Sequence, residues 1–109
     1  MRTLLRSLIR NATVTGSSTA LRLDAYILHA AELLQFEEVE IVNETTGEHF
    51  RTWVEEAPEG SGEIAVRARQ GDVVTIVAYV ALHEGQTLAH KPRTVTLDES
   101  NRVVAVAET

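Results

Sequence analysis

The sequence predicts a mainly β domain, a barrel-like set of short strands with one helix packed on it, and three observations predict it. Short stretches of β-branched and apolar residues recur between Gly, Asn, Asp and Pro punctuation, as in EVEIVN, HFRTWV and RTVTL. Only one stretch, LDAYILHAAELLQ, has a helical period. The longest continuous apolar run, VVTIVAYVA, reads as a central strand covered on both faces. A chain of 109 residues suits one domain, spanning 1–109, with a single modest core.

Each element follows in order. Thr3 to Thr15 is apolar with intruding arginines and ends in β-formers, which predicts a first strand. Gly16-Ser17-Ser18 is punctuation, and TALRL (19–23) is a short second strand. Asp24 is placed to cap a helix over 25–35, where Ile27, Ala30, Ala31 and Leu34 share one face. Glu38 to Asn43 alternates acidic and apolar residues as a half-buried strand does, and 44–47 turns it into a returning strand from His49 to Val54. Residues 55–62 form a polar loop, Glu63 to Arg67 a short strand, and 69–72 a turn into the central strand. Residues 83–91 are a loop, after which Arg93–Leu97 and Arg102–Val106 pair as a hairpin. Trp53 is expected to pack in the core or at an interface, and Tyr79 in the core.

Composition narrows the function. The net charge is −6 and aromatic residues make up 5%, so a nucleic-acid role is not expected: the surface repels phosphate and offers few stacking platforms. Ten glutamates fall between residues 32 and 63 and read as a solvated face. No apolar run reaches the roughly 18–20 residues that cross a bilayer. The Arg-rich start (Arg2, Arg6, Arg10) resembles a transit peptide in composition, but it runs directly into β-formers and reads as a strand of a cytoplasmic protein. There is no cysteine, hence no disulfide, thiolate nucleophile or thiolate metal ligand. The histidines at 29, 49, 83 and 90 share no ligand spacing, so metal is not expected. No dinucleotide, P-loop or G-x-S-x-G motif occurs.

Gly16-Ser17 is the pair with the most chemistry in it. Gly-Ser is common in turns, yet a serine hydroxyl beside a strained glycine carbonyl can also attack it and cut the chain. The stretches RTLLRSLIRNATVT, GSS, LDAYILHAAELLQFEEVEIVNETTGEHFRTW and QGDVVTIVAYV, together most of residues 2–80, resemble the pyruvoyl-dependent aspartate 1-decarboxylase family. The resemblance implies a six-stranded double-psi β-barrel with one or two short helices, and a homotetramer with sites between subunits. It also implies self-processing: Ser17 Oγ attacks the Gly16 carbonyl, the acyl group moves from N to O, and elimination followed by hydrolysis leaves a pyruvoyl group on residue 17. The ketone then serves as the electron sink for carbon dioxide loss.

Carried over position by position, Gly16 and Ser17 fall on the cleavage pair and Thr52 on the threonine that assists processing. Elsewhere the residues differ. The family's substrate-binding lysine falls on Leu8, its neighbouring histidine on Arg10 and its hairpin arginine on His49, with Arg51 two residues on. Its proton-donating tyrosine falls on Trp53, whose indole is too weak an acid for that task. Segments before Gly16 and between Val66 and Gly71 are shorter than in the family. The expectation is a divergent enzyme with Gly16, Ser17 and Thr52 in the chemistry and Arg10, His49, Arg51 and Trp53 against the substrate. Its substrate would be a small molecule other than free aspartate, and a tailoring reaction (cyclisation, dehydration or hydrolysis) would suit it. A pyruvoyl derived from Ser17, or the intact serine, would lie in the pocket. The alternatives are a non-catalytic paralogue that binds a ligand or partner, and the family's ordinary reaction with rearranged residues.

Overall fold

In the computed structural model, which describes residues 1–108, one mixed sheet runs through the whole chain. Its strands are β1 (Arg2–Thr13), β2 (Gly16–Ser17), β3 (Leu21–Asp24), β4 (Glu38–Asn43), β5 (His49–Ala57), β6 (Ile64–Val66), β7 (Val73–Leu82), β8 (Arg93–Leu97) and β9 (Val103–Glu108). Two short helices interrupt them, α1 (Ala25–Ala30) and α2 (Glu84–Thr87). The order across the sheet is β2-β6-β3-β5-β4-β7-β1-β8-β9, nine strands where six were expected. Three contacts are parallel (β1 with β8, β2 with β6, β3 with β5) and the rest antiparallel, an arrangement consistent with a β-barrel.

The apolar positions explain the layering. Ile9, Leu21, Leu23, Val39, Ile41, Val54, Ile64, Val74 and Ile76 point inward from six different strands and are essentially inaccessible. Ile27 and Leu28 of α1 join the same cluster. Burial of each such side chain favours folding by about 1.5–3 kcal/mol, which makes this cluster the main driving force.

Polar locks close the loops around that core. Asp24, buried, caps α1: its Oδ1 accepts from the Tyr26 and Gly60 N–H groups (both 2.9 Å) and its Oδ2 from Gly62 N–H (2.8 Å). Asn101 holds a left-handed backbone (φ 59°) while its side chain accepts from Thr13 N–H (2.9 Å) and donates to the carbonyls of Thr13 (2.8 Å) and Gly62 (3.0 Å). Asn43 Oδ1 accepts from Thr45 and Thr46 N–H, and its amide donates to Asp72, shaping the β4–β5 turn.

Several expected elements differ in extent. The helix expected over 25–35 stops at Ala30 because Glu32 turns left-handed (φ 57°) and the Leu33 and Glu32 N–H groups bond back to Leu28 and His29. Two arginines hold that stop: Arg6 donates to the Glu32 carbonyl (2.9 Å) and Arg93 to the Ala30 carbonyl (2.6 Å). Leu34 consequently leaves the buried face and is 72% exposed. The loop expected over 55–62 begins only after Ala57, since Leu21 to Asp24 pair in parallel with Val54 to Ala57. The loop expected over 83–91 contains α2.

Candidate functional site

β5 alternates cleanly between its two faces. His49, Arg51 and Trp53 point outward and are exposed, whereas Thr52 and Val54 are buried between them. Across the β4–β5 pair these three lie opposite Val42, Glu40 and Glu38 respectively. The registers continue outward: Glu40 is opposite Val77 of β7, and Val77 is opposite Leu8 of β1. Leu8, Val77, Glu40 and Arg51 therefore form one row across four strands, apolar at one end and charged at the other. Arg51 lines a cleft of about 440 Å³ with Thr3, Glu38, Glu40 and Tyr79. Among the described residues neither Arg51 nor Arg10 makes an ion pair within 4.0 Å, so both guanidinium groups remain available to an anion.

Arg10 is not gathered with the β5 cations in one chain. It sits at a β-bulge between Ile9 and Ala12, beside a left-handed Asn11 (φ 63°), and lies opposite Thr96 of β8. Three strand spacings, roughly 14 Å along the sheet, separate β1 from β5. Of the two places expected for Trp53, core or interface, it does not take the first. It is 41% exposed, and its indole Nε1–H donates to Glu55 Oε2 at 2.9 Å.

Gly16 and Ser17 form an edge strand instead of a turn. They pair in parallel with Ala65 and Val66 of β6, and among the described residues nothing pairs with the opposite side of β2. Thr15 N–H donates to the Ile64 carbonyl (2.8 Å) and Ser18 N–H to the Val66 carbonyl (3.1 Å), bracketing the pair. The backbone there is extended; the left-handed non-glycine residues are Asn11, Glu32, Phe36 and Asn101, all elsewhere. Ser17 is exposed, a side chain at Gly16 would meet nothing within 4 Å, and Ser17 lines none of the four clefts described. The serine hydroxyl thus stands on an open edge where a second chain can approach. Thr52 reaches toward this segment from the buried face of β5, its hydroxyl donating to the Thr19 carbonyl at 2.8 Å, two residues past Ser17. A pyruvoyl group on residue 17 would have room, since the position is exposed and enclosed by none of these clefts, and a buried hydroxyl anchors the chain two residues on.

Tyr79 is the residue that sequence reasoning misplaced. Expected in the core, it is 49% exposed, and its hydroxyl donates to Glu40 Oε1 at 3.3 Å. Loss of solvent raises its pKa above the ordinary value, and the Glu40 charge and hydrogen bond add to that, with Arg51 opposing. A signal was present: Thr75, Val77 and Tyr79 share one face of β7, and both polar members of the run VVTIVAYVA are on it.

With the geometry in view, comparison with known proteins is direct. The sequence model of the aspartate decarboxylase family matches residues 1–104. The chain is 35% identical over 118 positions to an aspartate 1-decarboxylase of Shouchella clausii, covering 99% of this chain and 93% of the relative. It is 39% identical over 112 positions to that of Leptothrix cholodnii (94% and 86%), and 35% identical over 115 positions to that of Methylibium petroleiphilum (96% and 96%). An alignment of 118 positions exceeds the 109 residues of this chain, so the Shouchella protein carries residues that this one lacks. The chain belongs to the aspartate decarboxylase family.

Proposed function

We propose that this chain is a pyruvoyl-dependent decarboxylase of a small amino acid less acidic than aspartate, working as a homo-oligomer. Ser17 is the precursor of the pyruvoyl group, formed by cleavage of the Gly16–Ser17 bond with Thr52 anchoring the following segment. The group, once formed, supplies the ketone that accepts electrons as carbon dioxide leaves. Arg51, with His49 beside it on the same face, holds the substrate carboxylate, and Trp53 walls the apolar side. Arg10, three strands away within one chain, takes no part in this reading.

The observation that carries this reading is the row Leu8–Val77–Glu40–Arg51. Aspartate brings two carboxylates, and this row offers one cation, with Leu8 where the resemblance expects a lysine. A hydrophobic side chain cannot offset the desolvation of a carboxylate, so the second acidic group loses its partner. The test is carbon dioxide release by the purified protein from aspartate and from leucine, valine and alanine. An apolar amino acid turned over faster than aspartate by roughly tenfold or more is the expected result. Preference for aspartate would overturn the specificity assigned here.

One finding favours a second reading, the ordinary reaction on aspartate itself: the relatives at 33–39% identity are all named aspartate 1-decarboxylase. Under that reading Arg10 and His49 take over the second carboxylate. The same substrate panel separates the two, because Arg10→Ala then raises KM for aspartate and leaves apolar substrates unaffected.

A further inference from the structure

We infer that Tyr79 returns the proton to the substrate carbon in place of the tyrosine that Trp53 displaces. This rests on the decarboxylase reading above. β7 and β5 both run antiparallel to β4, with Val77 and Arg51 facing Glu40 from either side. Two residues on from Val77 is Tyr79, and two residues on from Arg51 is Trp53, so the two aromatic side chains leave the same face on the same side of the row. Glu38, opposite Trp53, lies between them. Two strand spacings, roughly 10 Å, separate β7 from β5. The Tyr79 hydroxyl leans across part of that gap, reaching Glu40 at 3.3 Å and opening into the cleft that Arg51 also lines. A carboxylate held by Arg51 therefore puts its substrate within reach of the phenol, with residue 17 supplied by a neighbouring subunit, since within one chain β2 lies five strands from β7 and outside this cleft.

The chemistry balances with groups at hand. As carbon dioxide departs, the carbon that lost it takes a proton from Tyr79 Oη, and the resulting phenolate regains one from water, to which the residue is open. Around the phenol, Glu38 and Glu40 are acidic and Arg51 is basic, Glu37 is ion-paired with Arg6 of β1, and β1 further contributes Thr3 and Leu5. Loss of solvent, and then the charge and hydrogen bond of Glu40, raise the Tyr79 pKa against the opposing Arg51 and keep the phenol protonated at neutral pH. Trp53 cannot substitute, because an indole N–H does not transfer its proton in this range and is already engaged with Glu55.

The experiment takes the wild-type protein, Tyr79→Phe and Tyr26→Phe through denaturing mass spectrometry and then through kinetics on the preferred amino acid. The expected result is cleavage before residue 17 in all three, with kcat lowered roughly a hundredfold or more in Tyr79→Phe alone. KM should change little, since the phenol acts after binding. A second readout needs no turnover. In Tyr26→Phe the only remaining tyrosine is Tyr79, and its tyrosinate absorbance should titrate above the ordinary value of 10.0 and move down toward it when Glu40→Gln is added. Unchanged kcat in Tyr79→Phe, or a titration indifferent to Glu40, overturns this inference alone. A wild-type chain that stays intact, or is cleaved yet decarboxylates no amino acid, overturns the decarboxylase reading and this inference with it.

Discussion

The loop end held by Asp24 and Asn101 and the edge strand carrying Ser17 are built in opposite ways. At the loop end, two buried side chains make six hydrogen bonds that join β1, α1, the 58–62 loop and the β8–β9 turn. At the edge, Ser17 is exposed with one neighbouring strand among the described residues, and side-chain bonds hold the chain only two residues to either side, Ile64 N–H to Thr15 Oγ1 and Thr52 to Thr19. The difference teaches that rigidity here is invested in closing the sheet, while the reacting pair is left where it can be cut and where another subunit can cover it.

That contrast can be broken or sharpened by substitution. The largest effect should come from Asp24→Ala, which leaves three partly buried N–H groups without an acceptor and removes the cap of α1. A loss of about 3 kcal/mol in urea unfolding is expected, and a loss below about 1 kcal/mol would remove the loop end from its structural role. Thr52→Val keeps the volume but leaves the Thr19 carbonyl unpaired. It should cost about 1 kcal/mol of stability and slow cleavage before residue 17. Cleavage at the wild-type rate would reduce Thr52 to an ordinary strand residue. Ser17→Ala should change stability by less than about 0.5 kcal/mol, since the side chain is exposed, while abolishing cleavage altogether.

The smallest effect concerns acid. Asp98 accepts from the Arg102 and Ser100 N–H groups (both 2.9 Å), and these hold its carboxyl below the ordinary value of 3.8. A folded pKa below the unfolded one adds stability above the unfolded value and loses it as pH falls through the folded one. The β8–β9 turn should therefore loosen only below pH 3.8, with the Ser100 and Arg102 amide resonances titrating together there. Asp98→Asn should erase that titration; amide midpoints at or above 3.8 would contradict the cause assigned.

Much of the scaffold was legible because its physical causes are local. The Glu-Val-Glu-Ile-Val-Asn alternation marks β4 at both ends, and Asp24 before an apolar run marks the helix start. The helix stop was hidden because a left-handed glutamate, not a glycine, makes it, held by Arg6 and Arg93 from distant strands. The outward face of β5 was legible in the spacing of His49, Arg51 and Trp53. Its alignment with Leu8 and Tyr79 was not, because that depends on the register of three further strands and on a register shift between Leu5 and Ser7. Tyr79 in particular was masked by an apolar run that reads as buried on both faces, when only one face is.

The most direct measurement is the mass of the denatured, purified chain. The account predicts two fragments, residues 1–16 and a second chain starting at residue 17 with a blocked N-terminus. A single intact species of 12.0 kDa would contradict it.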